Sequence, residues 1–478
     1  MLVGAERRGV MMLVHGEARS DDRDLSDARA NTSSTVRCRS QTHNTVLNVT
    51  RIIARFMPLV AVLIATSTAG AEDALVSAVD AHLASHPDGL EAFSFDRTRY
   101  AGDLSSLPIG VFDSGIGGLT VLEALLTLDD FHNDTLTPGP DGRADFHDER
   151  FIYLGDQANM PYGNYAKAGR SDFLRELIFK DAIFLLGNRY REEGVIRHDK
   201  PPVKAIVIAC NTATAYGLDD LRAAVNRWNL PVLVVGVVEA GARGVLETGH
   251  PGAIGVLATV GTCDSGVYPR TIQGTLGLAG RRVATITQQG SADLAAVIEG
   301  DPSRPATVAE QVAADVRCLV DSHRASQQGA EGSPLTTIVL GCTHFPLVEG
   351  EIDAAFTALR EDPTLASCIA PVRHYVDPAQ WTARQLFREL AAGKLRRRGE
   401  ASPEARDRLF LSVAAPTSPA ERLNADGSLR DAYKYNRQPG QFTEDTVVVP
   451  MTRRSLPESS RRLVSENLPT VWKRLDDR

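Results

Sequence analysis

Two cysteines in this chain stand where a thiol can do chemistry. Residues 204–214 read KAIVIACNTAT: an apolar, β-branched run stops at Cys210, Asn211 and Thr212. Such a run predicts a buried parallel strand whose C-terminal end faces a cleft. Residues 336–346, TTIVLGCTHFP, repeat the pattern with Cys342, Thr343 and His344. In open α/β sheets this is the end at which ligands bind. A thiolate acts as a nucleophile, a metal ligand or a base. The cysteines lack metal-ligand spacing, with only His344 close to Cys342. A Cys–His protease pair needs one thiol, not two equivalent ones. Two thiols at matching positions of two similar halves suit another task. One removes a proton from a carbon centre and the other delivers a proton to the opposite face. That is racemisation or epimerisation without a cofactor.

A free thiol has a pKa of about 8.5, so a thiol base needs a local cation or hydrogen-bond donor near neutrality. His344 stands beside Cys342, and a helix starts just after Cys210. Asp113, at another strand end, is placed to accept or relay a proton. Ser114, Asn211, Thr212 and Thr343 are short donors at strand ends, suited to holding a carboxylate. Taken singly, each reads better as an N-cap or turn residue. Their convergence at equivalent strand ends favours a site.

The elements that must position these groups follow in order. A strand over 109–112 runs into the turn Asp113-Ser114-Gly115-Ile116-Gly117-Gly118, and a helix follows over 119–128. The G-I-G-G spacing is not the GxGxxG of a dinucleotide fold. Residues 127–150 form a polar loop or insertion. Its His132, Asp134, Asp145, His147 and Asp148 read as solvent-exposed rather than as metal ligands. A strand over 151–155 leads to the loop Met160-Pro161-Tyr162-Gly163-Asn164, with a helical period over 170–191. After the Cys210 strand come a helix over 213–226 and a strand over 232–235. The second half opens at 252–257 with GAIGVL, so both halves begin with an IGV strand and a small-residue turn. We read a duplicated βα unit. Strands are expected over 282–287 and 374–376, and helices over 306–322 and 377–393. From residue 394 the composition changes. The tail carries short strands over 409–413 and 446–450 and a final helix over 459–475, and it reads as a lid, a docking surface or an oligomer contact.

The chain has 478 residues, with 43% hydrophobic and 23% charged, which is the balance of a globular protein. A net charge of −8 argues against a nucleic-acid partner. Of the six cysteines, Cys318 and Cys368 read as unreactive buried thiols, and Cys263 is given no catalytic role. Residues 1–50 read as disordered or as lying upstream of the true start. Residues 51–71, RIIARFMPLVAVLIATSTAGA, have the three-part pattern of a secretory signal peptide, with cleavage expected after Ala71. The expected location is therefore periplasmic or secreted, with no stable membrane insertion once the signal is removed. A short helix is expected within an N-terminal segment, 72–107.

The stretches IGVFDSGIGGLTVL, YLGDQANMPYG, ACNTAT, VVGVVEAG, LATVGTCDSGVY and LGCTHFPLVEGEI together resemble glutamate racemase, of the cofactor-independent aspartate/glutamate racemase superfamily. The resemblance covers about residues 108–390. CNTAT and GCTH favour glutamate over the aspartate branch. It implies two pseudo-symmetric three-layer α/β/α domains with mostly parallel sheets and the active site in the cleft between them. Domain 1 would take 108–237 plus 378–393, domain 2 would take 238–377, and 394–478 would be an extra C-terminal extension. It implies Cys210 and Cys342 as the paired acid/base residues, acting on the D and L enantiomers respectively. Asp113 and His344 would assist them, with Glu239 as a further acidic group. Ser114, Pro161, Tyr162, Gly163, Asn211, Thr212, Thr259 and Thr343 fall where the family holds the substrate. No cofactor or metal is implied, the family is often dimeric, and it makes D-glutamate for peptidoglycan. An aspartate- or hydantoin-type racemase, a decarboxylase or a silent exported amino-acid binder are the alternatives.

Overall fold

The computed structural model describes residues 74–249, 252–282, 285–301, 303–327, 332–397, 399 and 406–476. The segments 1–50 and 51–71, with the signal-like run, lie outside the described residues. An N-terminal helix covers 74–85. The chain then lays down β1 (Ile109–Asp113), β2 (Phe151–Gly155), a small hairpin of β3 (Tyr190–Glu192) and β4 (Val195–Arg197), β5 (Ala205–Ile208) and β6 (Leu233–Gly236). A second set follows: β7 (Ala253–Thr259), β8 (Ile286–Ser291), β9 (Leu335–Gly341) and β10 (Ile369–Val376). The tail adds β11 (Arg408–Ala414) and β12 (Thr446–Pro450).

The duplication is visible in the topology. The first sheet carries the order β2-β1-β5-β6, and the second carries β8-β7-β9-β10. Each is second-first-third-fourth along its own half, and every one of these pairings is parallel. In this order the winding reverses between the first and third strands, where a crevice opens at the strand ends. Cys210 follows β5 and Cys342 follows β9, the third strand of each half. Both thiols therefore sit at the switch point of their own sheet.

The apolar residues sort into three cores. One face of the first sheet (Phe112, Ile152, Leu154, Ile206) packs on the helices Ser171–Leu186 and Asn211–Arg227. The outer face of the second sheet packs on Val308–Ser326 and Glu349–Leu359. The third core is shared: Ile109, Val111 and Val207 of one sheet and Val256 and Val339 of the other cover the helices Val237–Thr248, Val267–Leu278 and Pro378–Ala392. The two halves are thus joined through a common helical layer. No helix among the described residues is long and apolar enough to cross a membrane.

Several elements depart from the sequence reading. The helix expected over 170–191 ends at Leu186, because the chain turns at Gly187 into the hairpin. That hairpin turns at Glu193 and Gly194, both with positive φ, a geometry that Gly permits easily. β8 begins at Ile286, later than expected, and β10 begins earlier, at Ile369. Cys368 is a buried free thiol, and Cys318 is buried. Within the 127–150 insertion, the buried Asp145 carboxylate accepts from the Asp130 and Phe131 amides. Phe131 stacks on Phe387, and Arg396 donates to Asn133 Oδ1 and Asp145 O. The insertion is therefore packed against the Pro378–Ala392 helix and the tail.

The tail is not a separate appendage. β11 pairs in parallel with β2, and β12 pairs antiparallel with β11, so the first sheet has six strands. Phe410 on β11 is buried against Phe184 and Tyr190. Phe410→Ala is expected to lower unfolding free energy by about 3–5 kcal/mol, the usual cost of deleting a buried aromatic. Urea denaturation measures this. A shift within error of zero would mean that β11 does not belong to the core.

Candidate active site

β1 ends at Asp113, whose buried carboxylate turns back on the chain that follows. Its Oδ2 accepts from the amides of Gly115 at 3.1 Å and Gly118 at 3.0 Å. These bonds shape the 113–118 turn. A Cβ on Gly117 would overlap Thr343 Oγ1 and the His344 ring, which belong to the second half. The Thr120 hydroxyl donates to Thr343 O at 2.9 Å across the same junction.

The thiols reach this turn from opposite halves. Cys210 is the N-cap of the helix Asn211–Arg227, where its Sγ accepts from the Ala213 amide at 3.4 Å. Its thiol donates to Ser114 Oγ at 3.7 Å. Burial first, and the adjacent Asp113 second, push this thiol up to about 12. In this environment Cys210 is a protonated thiol near neutrality. Cys342 is equally buried, but its partners differ. Its Sγ lies 3.8 Å from His344 Nδ1, and His344 Nε2 lies 2.7 Å from Glu299 Oε1. Burial disfavours the imidazolium, yet the hydrogen bonds to Cys342 and Glu299 hold His344 well above the ordinary histidine range. Burial likewise raises the Asp113 carboxyl, with His344 opposing the shift.

The remaining polar groups mesh between the halves. Thr212 Oγ1 lies 3.3 Å from Thr259 Oγ1 and 3.2 Å from Thr262 Oγ1. Asn211 Oδ1 accepts from the Tyr268 hydroxyl at 2.6 Å. Gly163 abuts Gly261, where an added Cβ would sit 2.8 Å from Gly163 Cα. Asp113, Ser114, Gly163, Cys210, Asn211, Thr212, Thr259, Cys342, Thr343 and His344 are thus gathered along one seam. Pro161 lies in the loop leading to Gly163, and Tyr153 donates to Gly115 O beneath the turn at 2.6 Å.

Two expected residues are placed differently. Glu239 holds Arg222 in a two-pronged ion pair, both contacts at 2.7 Å, and Arg222 also donates to Val234 O. Its carboxylate is spoken for by a helix partner, and none of its described contacts is with a thiol. Tyr162 turns its phenol inward, 2.6 Å from both Asp156 Oδ2 and Asp181 Oδ2. One phenol supplies one proton, so one of these carboxyls carries its own. Asp156 also accepts from Ser412 and Asn159, which stabilises its anion. Asp181 is the protonated partner, raised by burial and then by the Asp156 charge. Only the backbone of Tyr162 remains for the seam. Conversely, Glu299 escapes a sequence reading. It lies just past the short helix Leu294–Ile298 in ordinary polar text, 45 residues from His344.

A family model described as Asp/Glu/Hydantoin racemase matches residues 192–385. The chain is similar to a glutamate racemase of Limosilactobacillus fermentum, 32% identical over 279 residues, which span 58% of this chain and 79% of that protein. It is also similar to a glutamate racemase of Thermus thermophilus, 32% identical over 320 residues, 66% of this chain and 92% of that protein. Among solved structures, glutamate racemase isoform RacE1 from Bacillus anthracis aligns with 64% of this chain and 87% of its own at 25% identity, with a TM-score of 0.44.

Because Glu299 helps keep His344 charged, Glu299→Gln is expected to lower the His344 pKa, as followed by NMR of the imidazole nitrogens. The sign for stability follows from a folded value above the unfolded one. The pair's contribution is full below about pH 6.5 and is lost as pH rises through the folded value. The variant should lack that part of the profile. An unchanged His344 titration would remove Glu299 as its partner.

Proposed function

The chain belongs to the Asp/Glu/hydantoin racemase family of amino-acid racemases, and on that premise we propose that it interconverts L- and D-glutamate without a cofactor, by two cysteine acid/base groups. The observation that carries this reading is the convergence on one turn. Cys210 meets Ser114, while His344, the partner of Cys342, meets Gly117. The two thiols approach a shared seam from opposite halves, as proton transfer on opposite faces of one carbon requires.

Their unequal partners set the starting state. Cys342, beside the His344 imidazolium, is the base that takes the α-proton of L-glutamate. The electron pair freed from the C–H bond moves into the α-carboxylate. Cys210, held as a thiol, gives its proton to the opposite face and releases D-glutamate. The reverse reaction exchanges the roles. Asp113 on one side, and His344 with Glu299 on the other, return each sulfur to its starting protonation. Ser114, Asn211, Thr212, Thr259 and Thr343, with backbone N–H groups near Gly163, exchange their present partners for the substrate's carboxylates and amine. The product serves peptidoglycan or other D-amino-acid metabolism. The signal-like segment 51–71 supports export, which N-terminal sequencing of the mature protein tests; an uncleaved, cytosolic protein would remove it.

The purified protein incubated with L-glutamate in D₂O is expected to yield D-glutamate carrying α-deuterium. Absence of both would end the glutamate reading, and aspartate or a hydantoin turning over instead would move the substrate within the family. Cys210→Ala and Cys342→Ala are each expected to slow racemisation by roughly 10²–10⁴-fold. Any residual deuterium exchange should stay with the L enantiomer in Cys210→Ala and with the D enantiomer in Cys342→Ala.

A further inference from the structure

The tail beyond residue 385, where the family match ends, touches the seam from behind. β11 runs beside β2 with Leu411 opposite Gly155, which brings Ser412 next to Asp156. Ser412 Oγ donates to Asp156 Oδ1 at 2.6 Å and accepts from the Ala158 amide at 3.0 Å. Further along the tail, Lys434 Nζ donates to Met160 O at 2.8 Å. Arg437 donates to Asn159 Oδ1, and to the Tyr165 hydroxyl at 2.8 Å. The Tyr435 hydroxyl accepts from Asn164 at 3.3 Å, and its ring meets Tyr165 edge-on at 4.8 Å. Lys434 and Arg437 are both buried, so these are not solvated surface charges. Arg437 is held in turn by Asp445 at 2.7 Å.

Apart from the Arg437–Asp445 pair, these bonds fall on one segment, 156–165. Its front faces the seam. Met160 and Gln157 pack where a Cβ on Gly115 would overlap them, and Gly163 abuts Gly261 and Thr259. The segment contains only a 3₁₀ turn (Gln157–Asn159) and a one-turn helix (Gly163–Lys167), so its own secondary structure does little to hold its shape. A loop without such support would lose its freedom each time substrate bound, and that loss weakens binding.

We propose that the C-terminal extension is a built-in positioning element for the active site: Ser412, Lys434, Tyr435 and Arg437 hold 156–165 in its substrate-ready shape. These are positioning residues and touch no reacting atom. The claim rests on the racemase reading for its kinetic test, but not for its structural one. Ordering the loop in advance lowers the cost of binding, so its loss registers in KM before kcat.

Arg437→Gln and Lys434→Met are the test variants, with Ser412→Ala as a milder third should either fail to fold. Each is expected to raise KM for the racemised amino acid about tenfold or more while kcat changes by less than about threefold. Val464→Ala, a buried change in the helix Glu458–Asn467 of the same tail, is the control. It should lower thermal stability and leave KM in place. For Arg437→Ala, millimolar guanidinium should restore part of the lost KM. Hydrogen exchange supplies a readout independent of turnover: amides of 156–165 should exchange faster in Arg437→Gln while those of β5 keep their protection. An unchanged KM with lowered stability alone would overturn the proposal, as would exchange that rises uniformly. A wild-type protein inactive on every amino acid would remove the proposed function and leave the exchange result to decide this one.

Discussion

The site depends on a turn in which three of the six residues, Gly115, Gly117 and Gly118, have no side chain. Between β1 and its helix, the 113–118 turn presents backbone to both halves, and at Gly117 the His344 ring occupies the space a Cβ would need. Asp113 shapes the turn by binding its amides, so the same carboxylate that lies under Cys210 also sets the distance to the second half. A larger residue there would push the halves apart. Two thiols on separate sheets would then lose the common seam that makes them a pair.

The two halves repeat in topology but not in electrostatics. Each thiol follows the third strand of its sheet. Burial and the neighbouring Asp113 hold Cys210 as a neutral thiol, against the Ala213 amide and the Ser114 hydroxyl, whose hydrogen bonds favour the thiolate. Cys342 faces a histidine whose proton is secured by Glu299. The duplicated scaffold thus sets a buried carboxyl beside one thiol and a charged imidazole beside the other. The shared helical core beneath both sheets holds those ends in register.

The same first sheet is lengthened by the tail, which brings a second set of anchors behind the 156–165 loop. Buried cations at Lys434 and Arg437 are costly unless fully bonded; acidic partners within the tail, Asp431 and Asp445, balance them, and their remaining donors reach one loop. Asp156 and Tyr162 of that loop also share a buried hydrogen-bonded cluster with Asp181 of the helix Ser171–Leu186. The front of the loop meets the seam, and the rear is a hydrogen-bonded network running into β11 and β12.

Local pattern carried much of this. The strand-to-cysteine stretches, the repeated IGV openings, the glycine turn and most helices were legible, because each arises within one βα unit whose periodicity is written over consecutive residues. The sequence by itself therefore determined the α/β class, the duplicated order and the placement of both thiols at strand ends. Tertiary structure decided what each group meets. Glu299 partners His344, Glu239 pairs with Arg222, Tyr162 turns inward, and the tail joins the sheet as two strands instead of standing apart. The physical reason is that an ion pair or a buried hydrogen bond depends on distance in space and on desolvation. Neither is encoded in spacing when the partners lie 45 residues apart, as His344 and Glu299 do, or 256 apart, as Ser412 and Asp156 do.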